Sequence, residues 1–103
     1  MICALTVRNL RPGTFEDFRQ AFMTHADEDH LPAGWVRFNM VRGIEDPDEV
    51  VCFGFFDGTL AELRGGGQDG YDDQMAAIAP YVESVGTNSL FEVVEDRMRE
   101  RAR

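Results

Sequence analysis

Arg37 and Asn39 stand two residues apart in an alternating apolar stretch that reads as a β-strand, Trp35 to Arg42. Strict alternation puts both on one face with Trp35, which combines a permanent cation, a primary amide and a flat ring. Facing a closed interior, such groups need partners, and an oxygenated aromatic anion supplies them. The guanidinium would favour the ionised oxygen, the amide would orient it, and the indole would form a wall. Near a sheet edge the same face would leave Arg37 and Asn39 to water or to a carboxylate such as Glu92. Two further residues carry proton chemistry. His25 follows Phe22 by about one helical turn and could face a pocket as a base, or simply pack or face water. Tyr71 opens a later helical segment and could donate a hydrogen bond or proton, or reach solvent. Phe56, next to Phe55, takes one face of an apolar strand and could wall a ligand, although aromatic packing accounts for both rings.

Other chemistry-bearing residues lack the spacing that their chemistry needs. His25 and His30 flank Asp27, Glu28 and Asp29, but a spacing of five does not align two ligands on one helix face, so a solvated helix end is expected and no metal. Cys3 and Cys52 lie inside apolar strands rather than in a spaced ligand motif, which predicts two buried thiols. Gly65-Gly66-Gly67 with Gly70 follows no strand directly and precedes no Lys. It reads as a linker or lid rather than a phosphate cradle.

Nineteen acidic residues against ten basic ones, all Arg, give a net charge of -9. A nucleic-acid surface needs a contiguous positive patch, and the only basic run is Arg97 to Arg103, interrupted by Glu100. That stretch is expected to be a frayed, solvated tail, and neither nucleic acid nor an anionic membrane is an expected partner. No segment approaches the roughly 20 apolar residues that span a bilayer. Met1 leads straight into strand-like residues without a leader pattern, which points to a cytoplasmic protein. The 103 residues suffice for one hydrophobic core, hence one domain over 1–103.

The elements that must position these residues follow from hydrophobic period and caps. Residues 2–10 form a strand with apolar residues on both faces. Arg11-Pro12-Gly13 is a turn, and Thr14 with Asp17 has capping-box spacing before a helix striped by Phe15, Phe18 and Phe22. The strand at 35–42 and a third at 50–56 form a hairpin around Asp46-Pro47-Asp48. Thr59 and Glu62 start a short helix that Gly65 to Gly67 must end. A further helix begins near Asp69 or Asp72, with Tyr71, Met75, Ile78 and Val82 along one side, and Pro80 kinks or restarts it. The last strand is expected at 89–94. Phe22 and Phe53 are expected in the core. The order β-α-β-β-α-β with right-handed crossovers gives an α+β, ferredoxin-like fold whose four-stranded antiparallel sheet runs 4-1-3-2. Helices cover one side only, and the apolar residues left on the other side call for a cover. A second copy of the chain, giving a homodimer, is the simplest.

The first strand with Arg11-Pro12-Gly13-Thr14, the stretch Asp46-Pro47-Asp48-Glu49-Val50-Val51, the run Phe53-Gly54-Phe55-Phe56-Asp57-Gly58-Thr59 and the closing Phe91-Glu92-Val93-Val94 resemble the dimeric α/β-barrel superfamily, in its antibiotic-biosynthesis-monooxygenase-like branch. The resemblance spans almost the whole chain without a diagnostic catalytic motif. It implies a pocket between helices and sheet or near the open sheet face. The activities it implies range from cofactor-independent oxygenation to haem degradation and isomerisation. The haem-degrading members carry an Asn, a Trp and a ligating His at positions that correspond to Leu5, Phe56 and a point after Thr59, and none of the three is present here. The expected function is therefore a cofactor-independent monooxygenase acting on a small electron-rich aromatic compound, with Arg37, Asn39 and His25 as catalytic candidates and Trp35, Phe56 and Tyr71 as ligand contacts. The alternative is a non-catalytic homodimeric module that binds a small hydrophobic ligand or serves structure alone.

Overall fold

The computed structural model of the chain describes residues 1–24, 33–65 and 68–99. Four strands, β1 (Ile2–Leu10), β2 (Trp35–Arg42), β3 (Glu49–Phe56) and β4 (Val82–Glu92), form one sheet in the order β2-β3-β1-β4, with every neighbouring pair antiparallel. Among the described residues, the helices α1 (Phe15–Thr24), α2 (Leu60–Arg64) and α3 (Gln68–Ile78) complete an α+β ferredoxin-like fold, and a 3₁₀ turn, Ala79–Tyr81, carries Pro80. The proline sits in the first turn of that element, where its missing amide donor costs no helical bond.

Pairing of Ile2 with Phe56 and of Arg8 with Val50 puts the even-numbered residues of β1 and β3 on one face. Burial of Leu10, Val50, Cys52 and Phe56 identifies it as the helix side. Phe18 and Phe22, one turn apart on α1, close over Leu10, Val50, Cys52 and Ile78 to make the core. Phe22 stacks on Phe38 of β2 with ring centroids 5.3 Å apart. Odd-numbered residues of β1 and β3, among them Leu5, Val7, Val51, Phe53 and Phe55, form the open face. Phe22 is therefore core, whereas Phe53 is half-buried on the face away from the helices.

The turns are built as their residues dictate. Asp46 accepts the Asp48 amide on its own Oδ1 at 3.1 Å, and Gly43 N donates to Glu49 O at 2.9 Å, closing the β2–β3 hairpin. Gly13, at φ 78°, takes the left-handed conformation of the β1–α1 turn. The Thr14 hydroxyl donates to the Arg11 carbonyl at 2.7 Å, so α1 starts where expected but on a different hydrogen bond from the capping box. The capping box does form at α2, where Glu62 N donates to Thr59 Oγ1 at 3.1 Å and Thr59 N donates to Glu62 Oε1 at 3.0 Å.

Two departures from the expected pattern share one cause. β4 starts at Val82, seven residues before the expected 89, so Val82 belongs to the strand and not to the helical stripe. Register shifts between Val7 and Arg8 and between Asn9 and Leu10 leave Gly86 and Glu83 without partners on β1. These bulges break the period-2 alternation that would have revealed the strand. A similar shift between Trp35 and Arg37 leaves Val36 unpaired and 56% exposed. Trp35 pairs with Phe56 and stands on the helix side, whereas Arg37 and Asn39 pair with Phe55 and Phe53 and stand on the open face. The three residues expected on one face are thus divided between two.

Candidate functional site

On the open face, Arg37 and Asn39 lie on edge strand β2 beside an apolar field. Phe53 and Phe55 meet edge to face with centroids 6.0 Å apart, and Leu5 and Cys3 lie opposite them on β1. Arg37 is exposed. Asn39 is half-buried, and its Oδ1 is buried without a hydrogen-bond partner among the described residues.

On the helix side, Trp35 and Phe56 meet edge to face at 5.5 Å. The indole lies over Gly54 so closely that a Cβ there would stand 2.9 Å from Trp35 Cζ3. A Cβ on Gly58 would stand 2.6 Å from Phe56 Cε1, and one on Gly34, which has a φ of 92°, would run into the same ring. Glycines thus make room for two large rings on one small patch of sheet. Phe56 also forms part of an open cleft of about 490 Å³ lined by Ala33, Gly34, Asp57, Glu62 and Gly65. Tyr71 lies one helical turn before Met75 on the α3 stripe that includes Ile78, and it remains 46% exposed. His25 lies outside the described residues, as do His30 and the acidic run 27–29. Among the described residues, no three His, Cys, Asp or Glu side chains gather as a metal site requires.

The residue that sequence reasoning passed over is Arg8. It shares the helix face of β1 with Leu10 and Thr6 and is only 5% exposed. Its guanidinium carbon lies 5.9 Å from the ring centroids of both Phe18 and Phe22. Nη2 donates to the Met75 thioether at 3.6 Å, a weak acceptor, and Nη1 is buried with no hydrogen-bond partner among the described residues. Burial pushes the Cys52 thiol up to about 11, while the guanidinium of Arg8 pulls in the opposite direction. The signal was available: Ile2, Ala4, Thr6, Arg8 and Leu10 alternate onto one face, and a lone cation on an otherwise uncharged strand face is the kind of residue that singles out a site. Along this face the sheet runs from the closed core around Arg8 to open ground at Thr6 and Asn88, whose side chains lie 3.4 Å apart at the surface. The strip offers aromatic walls, weak polar contacts and one desolvated cation.

No protein-family model matches the chain, and no curated protein matches it. Solved structures do match. A candidate antibiotic biosynthesis monooxygenase from Caulobacter crescentus superposes with a TM-score of 0.76 at 17% identity, covering 91% of this chain and 90% of its own. SnoaB, a cofactor-independent oxygenase from Streptomyces nogalater, gives a TM-score of 0.74 at 16% identity over 92% and 94%. A candidate antibiotic biosynthesis monooxygenase from Nitrosomonas europaea gives 0.75 at 13% over 92% and 100%. The fold of this chain is that of the antibiotic-biosynthesis-monooxygenase structures, the group that its strands and turns resemble in sequence.

Proposed function

We propose that the protein is a homodimeric, cofactor-independent oxygenase that oxidises a small electron-rich aromatic compound on the helix side of its sheet. The observation that carries this reading is the Trp35–Phe56 pair over Gly54, an aromatic wall that glycines make room for, with Phe56 lining an open cleft. The likeness in fold to a cofactor-independent oxygenase supports it.

In this chemistry the substrate supplies the electrons. Loss of a proton from the ring CH2 of a hydroxyanthrone, or from the phenol O–H of its tautomer, gives a carbanion in resonance with a phenolate. Its electrons pass to dioxygen, a carbon–oxygen bond forms, and the hydroperoxide loses water to leave a carbonyl. One oxygen atom stays on the ring and the other leaves as water. The protein's tasks are to bind the flat ring, favour the anion and keep water from the intermediates. Trp35 and Phe56 serve the first and last of these, and Tyr71, exposed one turn before Met75 on α3, carries a hydroxyl suited to hydrogen-bond a ring oxygen. His25 is the candidate base on sequence grounds. Arg37 and Asn39 face away from this cleft, so their share in ligand contact depends on a second copy enclosing the open face. The apolar field of Leu5, Val7, Val51, Phe53 and Phe55 favours such pairing, and so does Phe91, which is 47% exposed.

Oxygen uptake with a hydroxyanthrone tests the reading. One dioxygen consumed per quinone formed, above the uncatalysed rate and without added metal or flavin, is the expected result. Tight binding of the anthrone with uptake no faster than in buffer would instead identify a non-catalytic binding module.

A further inference from the structure

An arginine cannot discharge itself, so burying one is costly unless its donors are met. Arg8 is 95% removed from solvent, yet the acceptors around it are poor. Nη2 has a thioether sulfur at 3.6 Å, the Cys52 thiol is a second weak sulfur partner, the rings of Phe18 and Phe22 lie 5.9 Å away, and Nη1 has no partner among the described residues. A purely structural side chain at this point of the core would be better apolar, since replacing a buried ion with a hydrophobe of similar volume is often neutral or stabilising. Met75 packs against the core beside the guanidinium, and its thioether is an adaptable side chain that can move aside.

We propose that Arg8 is the anion-binding residue of this protein, and that an ionised oxygen of an aromatic ligand, carboxylate or phenolate, enters along the strip past Thr6 and takes the place of Met75 Sδ to bond Nη1 and Nη2. This goes beyond the oxygenase reading, because Arg8 pairs with Val50 and lies six residues along β1 from Ile2, the partner of Phe56, and it rests on that reading only for the claim that the bound molecule reacts. The site differs from Arg37, which is exposed on the opposite face of the sheet.

Calorimetric titration of the full chain with 2-naphthoate and with its uncharged counterpart 2-naphthylmethanol, neither of which can be oxygenated as proposed, tests the assignment. Wild type is expected to bind the carboxylate at least tenfold more tightly, R8M to bind the two alike, and both R8K and R37M to keep a preference for the carboxylate. Wild type binding both equally, or binding neither at millimolar concentration, would overturn the proposal, as would an R8M or R8Q variant that keeps the preference. R8Q answers the question if R8M does not fold. A carboxylate preference that depends on Arg8, together with no oxygen uptake on a hydroxyanthrone, would remove the oxygenase and leave the anion site. Oxygen uptake by a wild type that shows no carboxylate preference would do the reverse.

Discussion

At the scale of single residues, Cys52 and Arg37 give opposite expectations. The Cys52 thiol lies in the core and its pKa is raised from the usual 9.0 to about 11. The folded state therefore holds the thiol proton more tightly than the unfolded chain does. This stabilisation is fully present below pH 9 and is lost as the pH climbs through about 11. The stability difference between wild type and Cys52→Ala should shrink by about 2–3 kcal/mol over that interval, as read from urea unfolding at fixed pH values. A difference that stays constant would mean that the thiol is not buried as described. Arg37, by contrast, is exposed, and R37M should leave the affinity for a phenolate ligand within about twofold. A tenfold loss would move the anion contact to the open face. The two arginines also show what the sequence could not reveal. Both lie in alternating strands, and only the bulge at Val36, invisible to a period-2 reading, separates Trp35 from Arg37.

At the scale of elements, the legible features were those set by local chemistry. β1 has the expected bounds, the Thr59–Glu62 box caps α2, and the Phe15-Phe18-Phe22 stripe packs as its helical period requires. Phe22→Ala should cost about 3–5 kcal/mol, because it removes a ring that packs on Phe18 and Phe38 and leaves a cavity beneath α1. An unfolding midpoint near that of wild type would contradict this packing. Gly54→Ala is a finer probe of β3, since its new methyl would meet the indole of Trp35 and the Arg37 carbonyl at 3.2 Å. About 1–3 kcal/mol of destabilisation is expected, with a shift in Trp35 fluorescence, the only tryptophan in the chain. What stayed illegible was non-local. The first half of β4 is polar and contains Gly86, and only its pairing with β1 makes it a strand.

At the scale of the whole molecule, the sheet presents one face to its helices and leaves the other to whatever covers it. If a second copy is the cover, the 11.6 kDa chain should sediment as a dimer at micromolar concentration. Phe53→Arg should then give a monomer that stays folded, because Phe53 is not part of the helix-side core. A monomeric wild type, or a dimer indifferent to that arginine, would reject face-to-face pairing. The position of β1 has a separate consequence for how the chain comes into being. β1 is made first, yet one of its long edges is filled only by β4, through a pairing that reaches from Ile2 to Glu92. During synthesis at about 5–20 residues per second, that edge waits bare for several seconds, an apolar strand with unpaired amides and carbonyls. Folding of so non-local a sheet is expected to be slow, and a chain truncated before Val82 should aggregate rather than fold into a smaller domain.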